Sequence, residues 1–172
     1  MKRKVTHGFT DTKKFIWADY KLYCGNQICM EQICLTKYVT KRNSAYACDN
    51  IGDDLVTLEL VDDAAYQSDN TCRMPTTTDF TELRNNTTST LETLNGVNGM
   101  RFTSNTNYNS IFIPYGGYCF NGVINDFTSN GHLWCATSID GLPSDAYSFN
   151  LGSKILFNTP RVRGCNIRAV KP

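Results

Sequence analysis

Pro75-Thr76-Thr77-Thr78-Asp79-Phe80-Thr81-Glu82-Leu83-Arg84 is the stretch from which the fold is first read. Thr76 followed three residues later by Asp79 is a capping pair, in which hydroxyl and carboxylate satisfy amides that a first helical turn leaves without partners. Phe80 and Leu83 then stand on one face as a buried stripe. The spacing predicts a helix from this cap to about Arg84, where Asn85-Asn86-Thr87-Thr88 breaks it. Upstream, Leu58, Leu60, Val61, Ala64 and Ala65 repeat at helical spacing, which predicts a short helix over residues 58–67 with Asp62 and Asp63 on its solvent side. Before that, Gly25-Asn26 marks a turn, and the first 50 residues read as irregular structure or short strands.

Downstream of Asn95 the pattern changes to short apolar runs separated by Gly, Asn, Asp and Pro. Ser110-Ile111-Phe112-Ile113-Pro114 reads as a strand closed by its proline. Gly116-Gly117 reads as a close turn or a close backbone approach, and Tyr118-Cys119-Phe120 as the start of the partner strand. Three more strands are expected at residues 132–137, 146–151 and 166–170. Two helices followed by a meander of strands predict an α+β domain.

The chain has 172 residues, a length that suits one domain and buries about 70% of the surface an unfolded chain exposes. Its 17 basic and 16 acidic residues give a formal charge of +1, which speaks against a protein built to neutralise phosphates, so no nucleic-acid partner is expected. The charge is uneven: residues 1–42 carry nine basic and three acidic groups, residues 43–82 carry one and nine. No apolar run follows Met1-Lys2-Arg3-Lys4, so neither a secretory leader nor a membrane span is read, and the chain is expected either to be made in a cytosol or to be a piece of something longer. Residues 1–14 are expected to form an arm or a divergent first strand, and residues 15–172 the domain.

The eight cysteines are Cys24, Cys29, Cys34, Cys48, Cys72, Cys119, Cys135 and Cys165. The first three show C-x4-C-x4-C spacing, but no C-x2-C pair occurs, and a structural zinc site is not expected. Without an export signal the thiols are expected to be reduced and mostly buried. His132 and Cys135 are three apart on a strand and so on opposite faces, which argues against a Cys-His nucleophile. Asp53, Asp54, Asp62 and Asp63 are expected to be solvated rather than paired for glycoside cleavage. No hydrolase, phosphate-loop or dinucleotide fingerprint is present, and no enzyme activity, cofactor or metal is expected.

Six segments in order resemble the Fibrobacter succinogenes major paralogous domain of gut bacteria and their phages. They are Trp17-Ala18-Asp19-Tyr20-Lys21, Asp62-Asp63-Ala64-Ala65, Cys72-Arg73-Met74-Pro75-Thr76, Pro114-Tyr115-Gly116-Gly117-Tyr118, Gly131-His132-Leu133-Trp134-Cys135-Ala136-Thr137-Ser138 and Gly164-Cys165-Asn166-Ile167-Arg168-Ala169-Val170. The resemblance implies a C-type-lectin-like domain, two helices packed on small antiparallel sheets with long loops. It departs at Cys72, Cys135 and Cys165, which stand where the family has Trp, Ser and an aromatic, so these thiols are expected to replace core or strand side chains. The carboxylates of a calcium-dependent sugar site are missing around Leu133-Trp134-Cys135-Ala136, where Trp134 is expected in the core.

Metal-free recognition is the expectation that remains. Tyr108, Tyr115, Tyr118 and Tyr147 offer apolar ring faces, and Asn121, Asn125 and His132 offer polar partners, for a glycan or a protein loop. The resemblance implies a non-enzymatic attachment protein of a phage virion, a fibre or decoration protein recognising the host surface. The alternative is a bacterial cell-surface adhesin or lipoprotein domain. Expected partners are other virion or fibre subunits and a host-surface glycan or protein, with no membrane insertion. In the implied fold the first and last strands pair. Residues 166–170 are therefore expected either to pair with residues 4–9 or to lack an intrachain partner and drive homo-oligomer formation.

Overall fold

The computed structural model describes residues 41–42, 48–49, 57–58, 60, 63, 65–66, 69–120, 123–140, 142, 145–160 and 163–171. Two short strands, β1 (Lys41–Arg42) and β2 (Cys48–Asp49), pair antiparallel. Helix α1 (Thr77–Asn86) runs directly into β3 (Thr87–Leu94), which turns back as β4 (Val97–Ser104) and β5 (Ser110–Pro114). Then follow β6 (Gly116–Phe120), β7 (Val123–Phe127), β8 (His132–Ser138), β9 (Asp145–Asn150), β10 (Ile155–Pro160) and β11 (Gly164–Cys165). The larger sheets have three strands each, in the orders β3-β4-β5, β11-β6-β7 and β10-β9-β8.

The capping expectation at Thr76 holds in atomic detail. The Thr76 amide donates to Asp79 Oδ2 at 2.7 Å and the Asp79 amide donates to Thr76 Oγ1 at 3.3 Å. Asp79 also receives a bidentate pair from Arg73, at 2.6 and 2.8 Å. That guanidinium holds its carboxyl well below the usual carboxylate range. Phe80 is buried and stacks on Phe149 of β9 with ring centroids 4.6 Å apart, which seats α1 on the sheet.

The two-helix α+β expectation, and with it the C-type-lectin-like architecture, is corrected. Strand makes up 57% of the described residues and helix only 12%. Among the described residues the helical ones are α1 and residues 65–66. At the start of the helix expected over residues 58–67, Thr57 bridges Thr137 antiparallel and the Leu58 amide donates to Ala136 O at 2.9 Å. The backbone there is committed to β8. Asp63 is not on a solvent face but 3% exposed. Its Oδ1 accepts the amides of Ala65 and Tyr66, and its Oδ2 accepts that of Met74. Among the described residues of that run, Leu60 is exposed and Ala65 buried, and the Asp63 carboxylate ties residues 65–66 to Met74.

Tertiary pairing also rearranges the meander. β5 and β6 are not partners: β5 pairs β4, whereas β6 pairs β7 and β11. Gly116-Gly117 is therefore not a turn but part of β6, where the close backbone approach is found. Gly117 has φ +63°, and a Cβ there would stand 2.0 Å from Asn125 O, so only glycine fits against β7. Residues 166–170 do have intrachain partners. The Trp134 amide donates to Asn166 O and the Asn166 amide to His132 O, both at 2.8 Å, and Arg73 and Val170 exchange both backbone bonds. The lost-partner expectation is therefore corrected, while residues 4–9, like the arm at 1–14, lie outside the described residues.

β8 organises the interior. Leu133, Trp134, Cys135 and Ala136 are all at most 4% exposed, a continuous buried run of the kind found where both faces of a strand are covered. Trp134 and Ala136 enter a cluster with Ala65, Met74, Ala146, Cys165 and Ile167. Leu133 and Cys135 enter another with Phe80, Met100, Phe102, Ile113, Tyr115, Phe149 and Leu151.

Candidate functional site

The described site residues fall into three environments. Tyr115 belongs to the second buried cluster at 7% exposure, where burial raises its phenol above the ordinary value. Tyr147 is half-buried against the same cluster. Asn121 lies outside the described residues.

Tyr118, Asn125 and His132 come together. Tyr118 and Asn125 face one another across β6 and β7, and the Asn125 amide group donates to Val123 O at 3.1 Å. The rings of Tyr118 and His132 meet edge-on at 4.9 Å. Two residues not anticipated complete the group. Arg163 lies over the Tyr118 ring, 4.8 Å from its centroid, and Asp126 lies 3.1 Å from His132 Nε2. Burial lowers the His132 imidazole below its ordinary 6.5, a shift that Asp126 opposes and Arg163 reinforces. The neutral ring therefore donates from Nε2–H to the Asp126 carboxylate. With a guanidinium over Tyr118 and an imidazole at its side, the contacts run in a line from Arg163 before β11, through Tyr118 of β6 and His132 of β8, to Asp126 of β7.

Tyr108 stands in the third environment, at the turn between β4 and β5. It is 80% exposed and has φ +61°. A tyrosine in the left-handed region costs about 1–2 kcal/mol, because its Cβ crowds the following carbonyl. The surrounding bonds hold it there. The Ser104 amide donates to Asn109 O at 2.8 Å and the Tyr108 amide to Ser104 O at 3.2 Å. Ser104 Oγ accepts the amides of Thr106 and Asn107, and Asn107 Oδ1 accepts that of Asn109 at 3.0 Å. The loop is further tied to the end of α1 and the start of β3, where the Asn105 amide donates to Asn86 O and Thr88 Oγ1 to Asn105 Oδ1. Sequence reading singled out Tyr108 but not Ser104, Asn105 and Asn107. The signal was present in Ser104-Asn105-Thr106-Asn107-Tyr108-Asn109, a run of turn-forming residues between two apolar strands.

Among the described residues Cys72, Cys119 and Cys135 are free thiols, and Cys135 and Cys165 are buried. Burial pushes the Cys135 thiol far above its ordinary range, which removes the thiolate a nucleophile requires. Cys72, expected to replace a core or strand side chain, sits instead at a half-exposed turn with its thiol toward Asp69. Among the described residues no three of His, Cys, Asp and Glu gather as metal ligands, and no helix is long and apolar enough to cross a membrane.

The sequence matches no family model, no curated protein and no solved structure.

Proposed function

We propose that the chain is a non-enzymatic recognition module that binds a surface glycan through the Tyr108 loop, in the setting of a phage attachment protein. One observation carries this reading: an aromatic side chain is kept almost fully exposed on a strained backbone that five local hydrogen bonds hold in place. A rigid exposed tyrosine presents large contact area at small entropic cost on binding, and the flat ring suits the C–H face of a sugar. Backbone strain with no packing return is the usual mark of a position kept for contact. The virion setting is the one implied by the sequence resemblance.

Binding of the purified chain to an immobilised glycan panel tests the proposal. Tyr108→Ala should weaken the signal by at least about tenfold while leaving the unfolding midpoint in place. Unchanged binding by this variant would remove Tyr108, and the proposal with it.

A further inference from the structure

Asparagines around Tyr108 give the loop a specific hydrogen-bonding sense. Asn107 Oδ1 is fixed by the backbone, because the Asn109 amide can donate only to an oxygen. The Nδ2 group is therefore the remaining polar end of this exposed side chain. Asn105 and Asn85 repeat the arrangement, with Oδ1 taken by Thr88 Oγ1 and by Arg84 Nε respectively. All three are exposed, and the Asn105 amide bonded to Asn86 O places them at one end of the β3-β4-β5 sheet. The loop residues 104–109 carry no charged side chain, and the nearest cation on the same sheet, Arg101, is held by Glu92 and Ser110.

A ligand for this surface has to supply acceptors to amide donors and an apolar face to a tyrosine, without relying on charge. We infer, resting on the recognition reading above, that the loop takes an uncharged acetamido sugar: the acetamido carbonyl accepts from Asn107 Nδ2, and its methyl group and the ring C–H face lie on Tyr108. A hydroxyl in place of the acetamido group offers a weaker acceptor and no methyl contact. An acidic sugar finds no cation within residues 104–109, the neighbouring Arg84 and Arg101 being engaged by Asn85 and by Glu92 and Ser110, and still loses hydration.

Titration calorimetry of the full chain with chitotetraose, cellotetraose and a glucuronic-acid tetramer separates these cases. The expected result is binding of chitotetraose alone, with an affinity that changes by less than about twofold when salt is raised tenfold. Asn107→Asp keeps the oxygen that Asn109 needs but replaces the donor by an acceptor. It should weaken chitotetraose binding at least about tenfold at an unchanged unfolding midpoint. Equal binding of cellotetraose, preference for the acidic tetramer, an inert Asn107→Asp or no binding of any probe would each overturn the inference. If the panel signal still depends on Tyr108, the recognition reading survives that failure. If Tyr108→Ala binds chitotetraose normally, both fall.

Discussion

Strand β8 and the loop between β4 and β5 use the same residue classes in opposite ways. In β8 every side chain from Leu133 to Ala136 is buried, and the strand divides its residues between two apolar clusters. In the loop, Tyr108 is 80% exposed and its backbone is shaped by serine and asparagine. One region draws its structure from long-range packing, the other from bonds spanning at most five residues together with ties to the end of α1. Substitutions in β8 should therefore change stability without a specific effect on binding, and substitutions in the loop should do the reverse.

The sharpest attempt to break that contrast is Trp134→Ala. Trp134 is the largest fully buried side chain among the described residues, and its removal should cost about 3–5 kcal/mol in urea unfolding. A loss as small as that of a surface change would mean that β8 is not the centre of the fold. Phe80→Ala belongs to the same class, at about 3–5 kcal/mol, because it also ends the stacking on Phe149.

Asp63→Ala comes next. It leaves the amides of Ala65, Tyr66 and Met74 without their acceptor in a buried place, and should cost about 2–3 kcal/mol. Equilibrium unfolding at neutral pH checks it; a neutral result would return Asp63 to the solvent side where periodicity placed it.

These sites also show what the sequence could and could not reveal. The cap at Thr76 and Asp79 is contained in four residues, so it was legible, and so were the strands at residues 110–114 and 132–138. Arg73, which completes the carboxylate's bonding, lies beyond the capping pattern. Strand β3 was not anticipated, because Thr87-Thr88-Ser89-Thr90 looks like a helix breaker and has few apolar residues to alternate. Only its eight-residue register with β4 reveals it. Pairing itself was out of reach: nothing in Pro114-Tyr115-Gly116 says that β5 and β6 leave for different sheets. Among the candidate tyrosines the letters are identical, while Tyr115 is buried, Tyr118 is held between Arg163 and His132, and Tyr108 is exposed. Burial is decided by partners distant in sequence, so periodicity alone could not separate the three.

A smaller effect is expected from pH. Burial makes the folded chain favour neutral His132, so the unfolded chain takes up its proton first as pH falls below about 6.5. The stability contributed by His132 is thus present above that value and is lost as pH falls through the lowered folded value. His132→Gln should flatten this slope in stability measured between neutral and mildly acidic pH. An unchanged slope would show that burial does not lower the His132 imidazole in the folded chain.

The smallest effect discriminates most finely between the two regions. Tyr108→Gly removes the Cβ that makes φ +61° costly, a relief of about 1–2 kcal/mol, and adds unfolded-state freedom worth about 0.5–1 kcal/mol. The net expectation is a gain of about 0.5–1 kcal/mol, because the exposed ring has little packing to lose. The same substitution deletes the proposed contact, so binding to the glycan panel should fall with that of Tyr108→Ala. Stability and recognition would then move in opposite directions at one residue, the behaviour of a position held in strain for contact. Measured destabilisation would mean that the ring packs on the loop it rises from, and that the turn between β4 and β5 is held by the same kind of burial as β8.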